Sequence, residues 1–402
     1  MPFIDIAQRA VRDFSISAVM AGFVSILVGF ASAGVIVLQA AQTLGASPAE
    51  IGSWLWALGW GMGLTGIVFS LRYRAPIVMA WSTPGAAMLV TTTADVSLQE
   101  ATGAFVICGG LMALFGFTGW FERLMNRLPL SLASAMLAGV LLQFGLNVFT
   151  AMETQFGLVF TMFCVYLLLQ RVSPRYTIIA ALVVGTLLAG MQGLLSVETL
   201  RLQWATPVFI TPKFSITGLM GIAIPLFIVT MASQNVPGVA TIRAFGYGVP
   251  TSPLISWSGL ASFFLAPFGA FAINLAAITT AISMGQEAHE NPDKRYIAGI
   301  TVGVLYIVIG LFGATVVGVF SALPQELVVA ISGLALLNTI GKGLGSALSQ
   351  ETERNAALIT FLVTASGVSL LGIGSAFWGL LVGGLANLVT RLHTPKTLIQ
   401  QR

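Results

Sequence analysis

The chain has 402 residues, of which 56% are hydrophobic and only 8% charged, with a mean hydropathy of +0.93. A soluble domain devotes roughly 25% of its residues to Asp, Glu, Lys and Arg, so a water-covered globule is excluded. The 44 glycines and 16 prolines are interleaved with apolar residues rather than with charge, which excludes disorder; the net charge of +4 carries less information than where the charges lie.

In chain order, Met1 to Phe14 holds Asp5, Arg9, Arg12 and Asp13, and an apolar run from Ile16 to Ala40 follows. That run is too long for the core of a secretory signal, so it reads as a retained first span. A helix crossing the bilayer needs about 20 largely apolar residues. Further uncharged runs of about that length are Ile51–Leu71, Ala101–Phe121, Leu130–Thr150, Gln155–Gln170, Thr177–Leu195, Ser215–Ile242, Pro250–Ala266, Tyr296–Phe320, Glu326–Ile340, Ala356–Leu371 and Gly372–Thr390. Pro76–Ala94 and Pro267–Gly285 are long enough to cross but are broken near the middle by small and polar residues. Cys108 and Cys164 sit in apolar runs with no CxxC pair and read as inert interior residues.

Charge placement decides whether the two broken runs cross, because Lys and Arg concentrate in cytoplasmic loops. With fourteen crossings and both termini inside, all of the 18 basic residues except Arg201 and Lys213 fall on the cytoplasmic side. Removing either broken crossing inverts the alternation after it and destroys that split. The expected fold is therefore an all-α integral membrane protein of fourteen spans, with both termini cytoplasmic. An odd number of spans per half turns the second half upside down, giving a 7+7 inverted repeat over residues 1–200 and 201–402. Arg201 to Lys213 is the connection between the halves. Paired interruptions at corresponding places in two halves point to a transporter binding site.

The third span reads Ala80-Trp81-Ser82-Thr83-Pro84-Gly85-Ala86. Pro84 disfavours helix at the residue before it and lacks an N–H, so Ile77 to Thr83 is expected extended and Pro84 is expected to open a new helix. Free N–H groups of Gly85 and Ala86, with the hydroxyls of Ser82 and Thr83, then make the positive end of a half-helix at mid-membrane, suited to an anion. The alternative is a proline kink with a self-capping Ser-Thr pair. In the tenth span, Asn274 falls where extended chain is expected to give way to helix, as a cap, a ligand or both. Thr279 and Thr280 read as packing residues bonded to their own backbone. The eighth span carries Ser233-Gln234-Asn235-Val236-Pro237-Gly238; polar groups buried without partners cost several kcal/mol, so this face must meet protein or a cavity. Gln39 is the matching polar residue of the first span. Asp95, Glu100, Glu153, Glu287, His289 and Glu290 read as loop charges, and no metal, phosphate-loop or dinucleotide motif is present. No cofactor is expected.

On the strings Ala80–Ala86 and Ser233–Gly238, the chain resembles the bacterial benzoate–proton symporter family (BenE) over essentially its whole length. The resemblance implies a fold shared with nucleobase, ascorbate and sulfate-type anion transporters. It implies a core domain (about 16–121 and 215–320) and a gate domain (about 130–195 and 326–390), with short antiparallel strands in the third and tenth spans leading into half-helices. It further implies import of benzoate or a related aromatic carboxylate together with a proton, by alternating access, in a bacterial inner membrane. Nucleobase relatives carry carboxylates in the eighth and tenth spans, where this chain has Ser233 or Gln234 and Ile273. Losing a fixed negative charge suits an anionic ligand, and it also removes the obvious proton carrier. Trp81 and Phe271 are candidates for the apolar wall around an aromatic ring. Binding therefore falls to Gln39, Trp81, Ser82, Thr83, Pro84, Gly85, Ala86, Gln234, Asn235, Phe271 and Asn274. The partners are a small aromatic acid, a proton and the lipid bilayer, with no nucleic acid and with a homodimer left open. An anion exchanger or channel-like protein of the same fold is the rival reading; a membrane enzyme would need a nucleophile, metal ligands or paired carboxylates in one cavity, and the spans assemble none.

Overall fold

A computed structural model describes residues 12–91, 96–121, 129–172, 176–196, 202–286, 288–368, 370 and 375–393. Asp5, Arg9, Asp95, Arg201, Glu287 and the expected boundary between Leu371 and Gly372 lie outside them. The described chain is mostly helical: α1 (Ile16–Thr43), α2 (Pro48–Tyr73), α3 (Thr83–Thr91), α4 (Leu98–Phe117), α5 (Leu130–Thr154), α6 (Phe156–Val172) and α7 (Thr177–Met191) make up its first part. The second part begins with α8, a rod of consecutive helical pieces from Ile216–Gly218 to Val236–Ala244, followed by α9 (Thr251–Leu265) and α10 (Ile278–Met284). Next come α11 (Tyr296–Leu311, continued after Phe312 by Gly313–Ser321), α12 (Gln325–Leu348), α13 (Arg354–Ala365) and α14 (Ser375–His393). Six of these stretches, among them Pro48–Tyr73, Leu130–Thr154 and Ile216–Arg243, are each long and apolar enough to cross a bilayer.

Local chemistry explains where the elements start and bend. Ser47 and Ser97 each exchange hydrogen bonds with the glutamate three residues on, Glu50 and Glu100, forming capping boxes at the starts of α2 and α4. In α8, the π-helical turns Leu219–Ala223 and Met231–Asn235 are each followed two residues later by a proline, Pro225 and Pro237. A proline cannot donate to the carbonyl four residues back, so the ladder widens ahead of it. Between α7 and α8, residues 202–215 run without helix and are tied down by backbone bonds from Ala205 to Leu311, Ile210 to Pro267 and Lys213 to Gln99.

Glycines set the tightest helix contacts. On α2, a Cβ at Gly59 would stand 2.5 Å from the Tyr306 carbonyl oxygen, and one at Gly63 would stand 2.5 Å from that of Gly303 on α11. Close backbone approach of this kind drives helix association in membranes, where burial of apolar surface offers little. The main apolar core joins α1–α4 to α8–α11, with α5 and α12 contributing from one side, and a second cluster joins α5, α6, α7 and α12.

The two broken runs meet. Met79–Ala80 (β1) and Asn274–Leu275 (β2) pair antiparallel, with Met79 opposite Leu275 and Ala80 opposite Asn274. The third-span helix begins at Thr83, one residue ahead of the expected Pro84, because Ser82 supplies the cap. In the tenth run, Asn274 lies within the strand and helix starts only at Ile278, with Ala277 before it. Asn274 is therefore not a helix cap.

Gly63→Ala forces a methyl group against the backbone of α11, and overpacking of this kind costs about 1–3 kcal/mol. Gly345→Ala on α12 meets open space and is expected to be neutral or to stabilise by about 0.5–1 kcal/mol. Thermal unfolding of the two variants in the same detergent checks the contrast.

Candidate functional site

At the centre of the bundle, every strand-like backbone group needs a partner, since no water is available there. Ser82, fully buried, accepts a hydrogen bond from the Gly85 N–H on its Oγ at 3.1 Å and one from the Ala86 N–H on its carbonyl at 2.8 Å. The Thr230 hydroxyl of α8 donates to the same Oγ at 2.8 Å. The Gly85 and Ala86 amides are thus engaged, contrary to the expectation that they stand free, and the self-capping alternative describes this helix start. Gly85 is also pressed against Leu226, which would lie 2.3 Å from an added Cβ. Pro84 and Ala86 are buried beside it, whereas Thr83 is half-buried and its hydroxyl bonds nothing among the described residues.

On the opposite strand, the Leu275 N–H donates to the Asn235 Oδ1 at 3.0 Å, and the Ala276 N–H donates to the Val78 carbonyl at 3.0 Å. Asn235 is fully buried, so its side chain is committed to holding the tenth run against α8. The Ile273 N–H donates to Ser262 Oγ at 2.8 Å. Asn274 donates from Nδ2 to the carbonyl of Ala272, a residue held at φ 42°, and its buried Oδ1 has no partner among the described residues. The Thr279 and Thr280 hydroxyls are likewise buried and unpaired there, not bonded to their own backbone as the sequence suggests. In the polar string of α8, Ser233 donates to the Val229 carbonyl, while Gln234 is half-exposed and makes no hydrogen bond among the described residues.

The aromatic candidates separate. Phe271 is fully buried between Trp54 (ring centroids 5.7 Å) and Phe105 (5.6 Å), and Trp54 also stacks edge-on against Phe105. Gly269, at φ 99°, lies directly under the Trp54 ring and leaves no room for a side chain. Phe271 is thus accounted for by packing. Trp81 stands edge-on to Phe30 at 5.6 Å and to Tyr306 at 5.9 Å, and Phe30 in turn meets Phe320 at 6.3 Å.

Phe320 and Gln39 both line a cavity of about 700 Å³ among α1, α3, α5, α11, α12 and α13. Of the residues singled out by sequence, Gln39 alone reaches it; α3 enters the lining through Val90 and Thr91, at the end opposite Ser82. Gln143, Phe144 and Asn147 of α5 and Ser332 of α12 complete much of the polar and aromatic wall. Gln143 Nε2 donates to Asn147 Oδ1 at 2.8 Å, and Ser332 Oγ reaches Gln39 Oε1 at 3.5 Å. Sequence reasoning missed Gln143 and Asn147. Their spacing of four within the otherwise apolar stretch 135–148 is the signal that could have found them, because it puts both amides on one face.

Residues 12–389 match the sequence model described as Benzoate membrane transport protein. The chain belongs to this family. Among curated relatives, it is 46% identical over 383 residues to the inner membrane protein YdcO of Escherichia coli K12, covering 95% of this chain and 98% of that one. It is 42% identical over 375 residues to the Benzoate membrane transport protein of Acinetobacter baylyi, covering 93% and 95% respectively. The family is one of transport proteins and not of enzymes.

Among solved structures, the fold resembles that of SLC26A9, with a TM-score of 0.62 at 14% identity over 95% of this chain and 67% of that one. It also resembles the transmembrane domain of the cyanobacterial bicarbonate transporter BicA, with a TM-score of 0.55 at 14% identity over 94% and 97%. The family is thus built on the fold of these anion transporters.

Asn235→Leu removes the acceptor for the Leu275 N–H. An unsatisfied buried donor costs about 1–3 kcal/mol, so the variant should melt measurably lower, whereas Gln234→Ala should stay within about 0.5 kcal/mol of the parent.

Proposed function

We propose that the protein is a secondary transporter of the bacterial inner membrane that imports benzoate or a related aromatic carboxylate together with a proton, by alternating access. One observation carries the reading: two interrupted spans meet as an antiparallel pair at the centre of the bundle, and the half-helix that starts there ends at a cavity walled by amides, hydroxyls and aromatic rings. The Acinetobacter relative, a benzoate transport protein by name, supplies the substrate class. Proton coupling answers the field, since moving one negative charge against 100 mV costs about 2.3 kcal/mol and a co-moving proton cancels that term.

The same reading takes the chain as fourteen spans in a 7+7 inverted repeat. A shift of seven helices carries the α2–α11 packing onto α9–α4 and returns the α5–α12 packing and the β1–β2 pair to themselves; all four are among the contacts of the fold. The core domain is then α1–α4 with α8–α11, and the gate domain α5–α7 with α12–α14. With both termini cytoplasmic, the exposed cavity rim at Gln42, Thr43, Ser321 and Gln325 faces outward. Gln39 and the amides beside it receive the carboxyl group. Phe144 and Phe320 form the aromatic wall, with Phe30 and Trp81 packed in turn behind Phe320, and Thr83 and Gln234 offer the accessible polar groups nearer the strand pair. Ser82, Pro84, Gly85, Ala86, Asn235 and Asn274 hold the backbone that places them. A homodimer is compatible with this architecture.

Uptake of labelled benzoate into proteoliposomes, with pH and voltage gradients imposed separately, tests the function after subtraction of uptake by protein-free vesicles. Accumulation should follow an inward proton gradient and respond little to voltage. Flux indifferent to external pH would favour instead an anion exchanger or channel-like protein of the same fold. Gln39→Ala and Gln234→Ala each remove a hydrogen bond worth about 0.5–1.5 kcal/mol. Each should raise the KM for benzoate about two- to tenfold, and an unchanged KM removes that residue from the site.

A further inference from the structure

The reading above leaves open where the coupling proton rides. The polar lining of the cavity is made of groups that donate and accept equally. In the Gln143–Asn147 pair, one N–H and one amide oxygen are used at 2.8 Å, which leaves one amide NH2, the second N–H of the donating amide and one amide oxygen for a ligand whichever way the amides are turned. Ser332 gives its one hydroxyl proton to the Val328 carbonyl at 2.7 Å and stands 3.5 Å from Gln39 Oε1, so Gln39 keeps both an NH2 and an oxygen for a ligand. A carboxylate can only accept hydrogen bonds, so it would leave the spare amide oxygen facing a negative charge. A neutral carboxyl group accepts on its carbonyl and donates from its hydroxyl, and it satisfies both. Among the described residues, no cationic side chain lines the cavity to favour the ionised form.

We infer that the transported acid carries the coupling proton itself, binding as the neutral –COOH form on the amides of Gln39, Gln143 and Asn147. This rests on the transport reading above. On the outer side a proton from water forms an O–H bond with the carboxylate. No protein bond changes, and on the inner side the same O–H bond breaks and returns the proton to water, so one proton and one anion cross together. A carboxylic acid titrates near 4 in water, and removal from water raises that value by up to several units, into the range where binding and release straddle neutral pH.

The ionisable groups around this lining are few. Glu326 adjoins Gln325 at the rim, Glu153 is exposed near the end of α5, and Lys342 and Arg354 lie elsewhere on α12 and α13. The Tyr306 phenol lies beside Trp81 and, like phenols generally, stays protonated at neutral pH. Asp95 follows α3 outside the described residues.

The experiment measures binding to the purified protein by calorimetry, with benzoate, benzamide and benzenesulfonate between pH 6 and 8. Benzamide copies the donor–acceptor pair of the neutral acid, and benzenesulfonate copies the anion but does not take up a proton. Benzoate affinity should fall about tenfold per pH unit as the neutral acid becomes scarcer, by proton linkage. Benzamide should bind with no pH dependence, and the sulfonate at least about a hundredfold more weakly than benzoate at pH 6, because it has no hydroxyl to donate to the spare amide oxygen and sets a negative charge against it. A pH-independent benzoate affinity, or tight sulfonate binding with benzamide inert, would overturn the inference. Loss of pH-driven accumulation in Asp95→Asn or Glu326→Gln with benzoate exchange intact would also overturn it, because the proton would then belong to a side chain. Absence of benzoate transport under every gradient is a separate outcome that removes the transport reading itself.

Discussion

The pairing of Met79–Ala80 with Asn274–Leu275 is the constraint on which the rest depends. A chain that leaves helical geometry inside a membrane exposes amides and carbonyls that nothing in lipid can satisfy. Here the missing partners come from three directions. The two strands serve each other, Asn235 reaches across from α8 to the Leu275 N–H, and Ser262 takes the Ile273 N–H from α9. Ser82 closes the start of α3 by itself. The π-helical turn ending at Asn235 belongs to the same arrangement, because Pro237 widens the helix where the asparagine must point sideways.

Charge is segregated accordingly. Asp13, Arg74 and Tyr296 cluster where α1 begins, α2 ends and α11 begins, with Arg74 and Tyr296 both bonded to the Asp13 carboxylate. Arg295, also buried, donates to the backbone carbonyls of Met284, His289 and Glu290. That places a cation on the otherwise unpaired carbonyl end of α10, where a helix favours positive charge. The short helix is therefore held by strand pairing before it and by a guanidinium after it. The polar groups of the cavity wall, among the described residues, are amides and hydroxyls.

Much of this was legible in the sequence, for physical reasons that differ by residue. The interruptions at Pro84 and around Asn274 showed because proline and small polar residues are incompatible with an unbroken apolar helix. The alternation of basic residues leads to the expectation that both broken runs cross, and the family resemblance implies that they pair as short antiparallel strands. What stayed hidden was which polar atom serves which. A serine before Thr-Pro-Gly is either a donor to ligand or a cap, and only the 3.1 Å contact from the Gly85 N–H decides. Asn235 and Asn274 carry the same side chain, yet the first accepts the Leu275 N–H on its oxygen and donates to the Met231 sulfur, while the second keeps an oxygen without a partner among the described residues. Phe271 and Trp81 likewise read alike in sequence, and they part company only because Trp54 and Phe105 enclose the former. Gln143 and Asn147 escaped notice because their helix carries no break.

The distribution of small residues bears on how such a bundle can change shape. Where Gly59 and Gly63 bring α2 against the backbone of α11, any sliding drives carbonyl oxygens into Cα atoms, so these helices move together or not at all. The cavity side is built differently. There Val35 of α1 joins the apolar cluster that holds Ile331 and Leu334 of α12, and towards the cavity the two helices present polar side chains, with Ser332 Oγ 3.5 Å from Gln39 Oε1, so rotamer changes can absorb a displacement that a glycine interface cannot. A ligand bound among Gln39, Gln143 and Asn147 touches both sides of that seam. Its hydrogen bonds therefore report directly on the relative position of the two helix groups, which is the condition for substrate binding and conformational change to share one free energy.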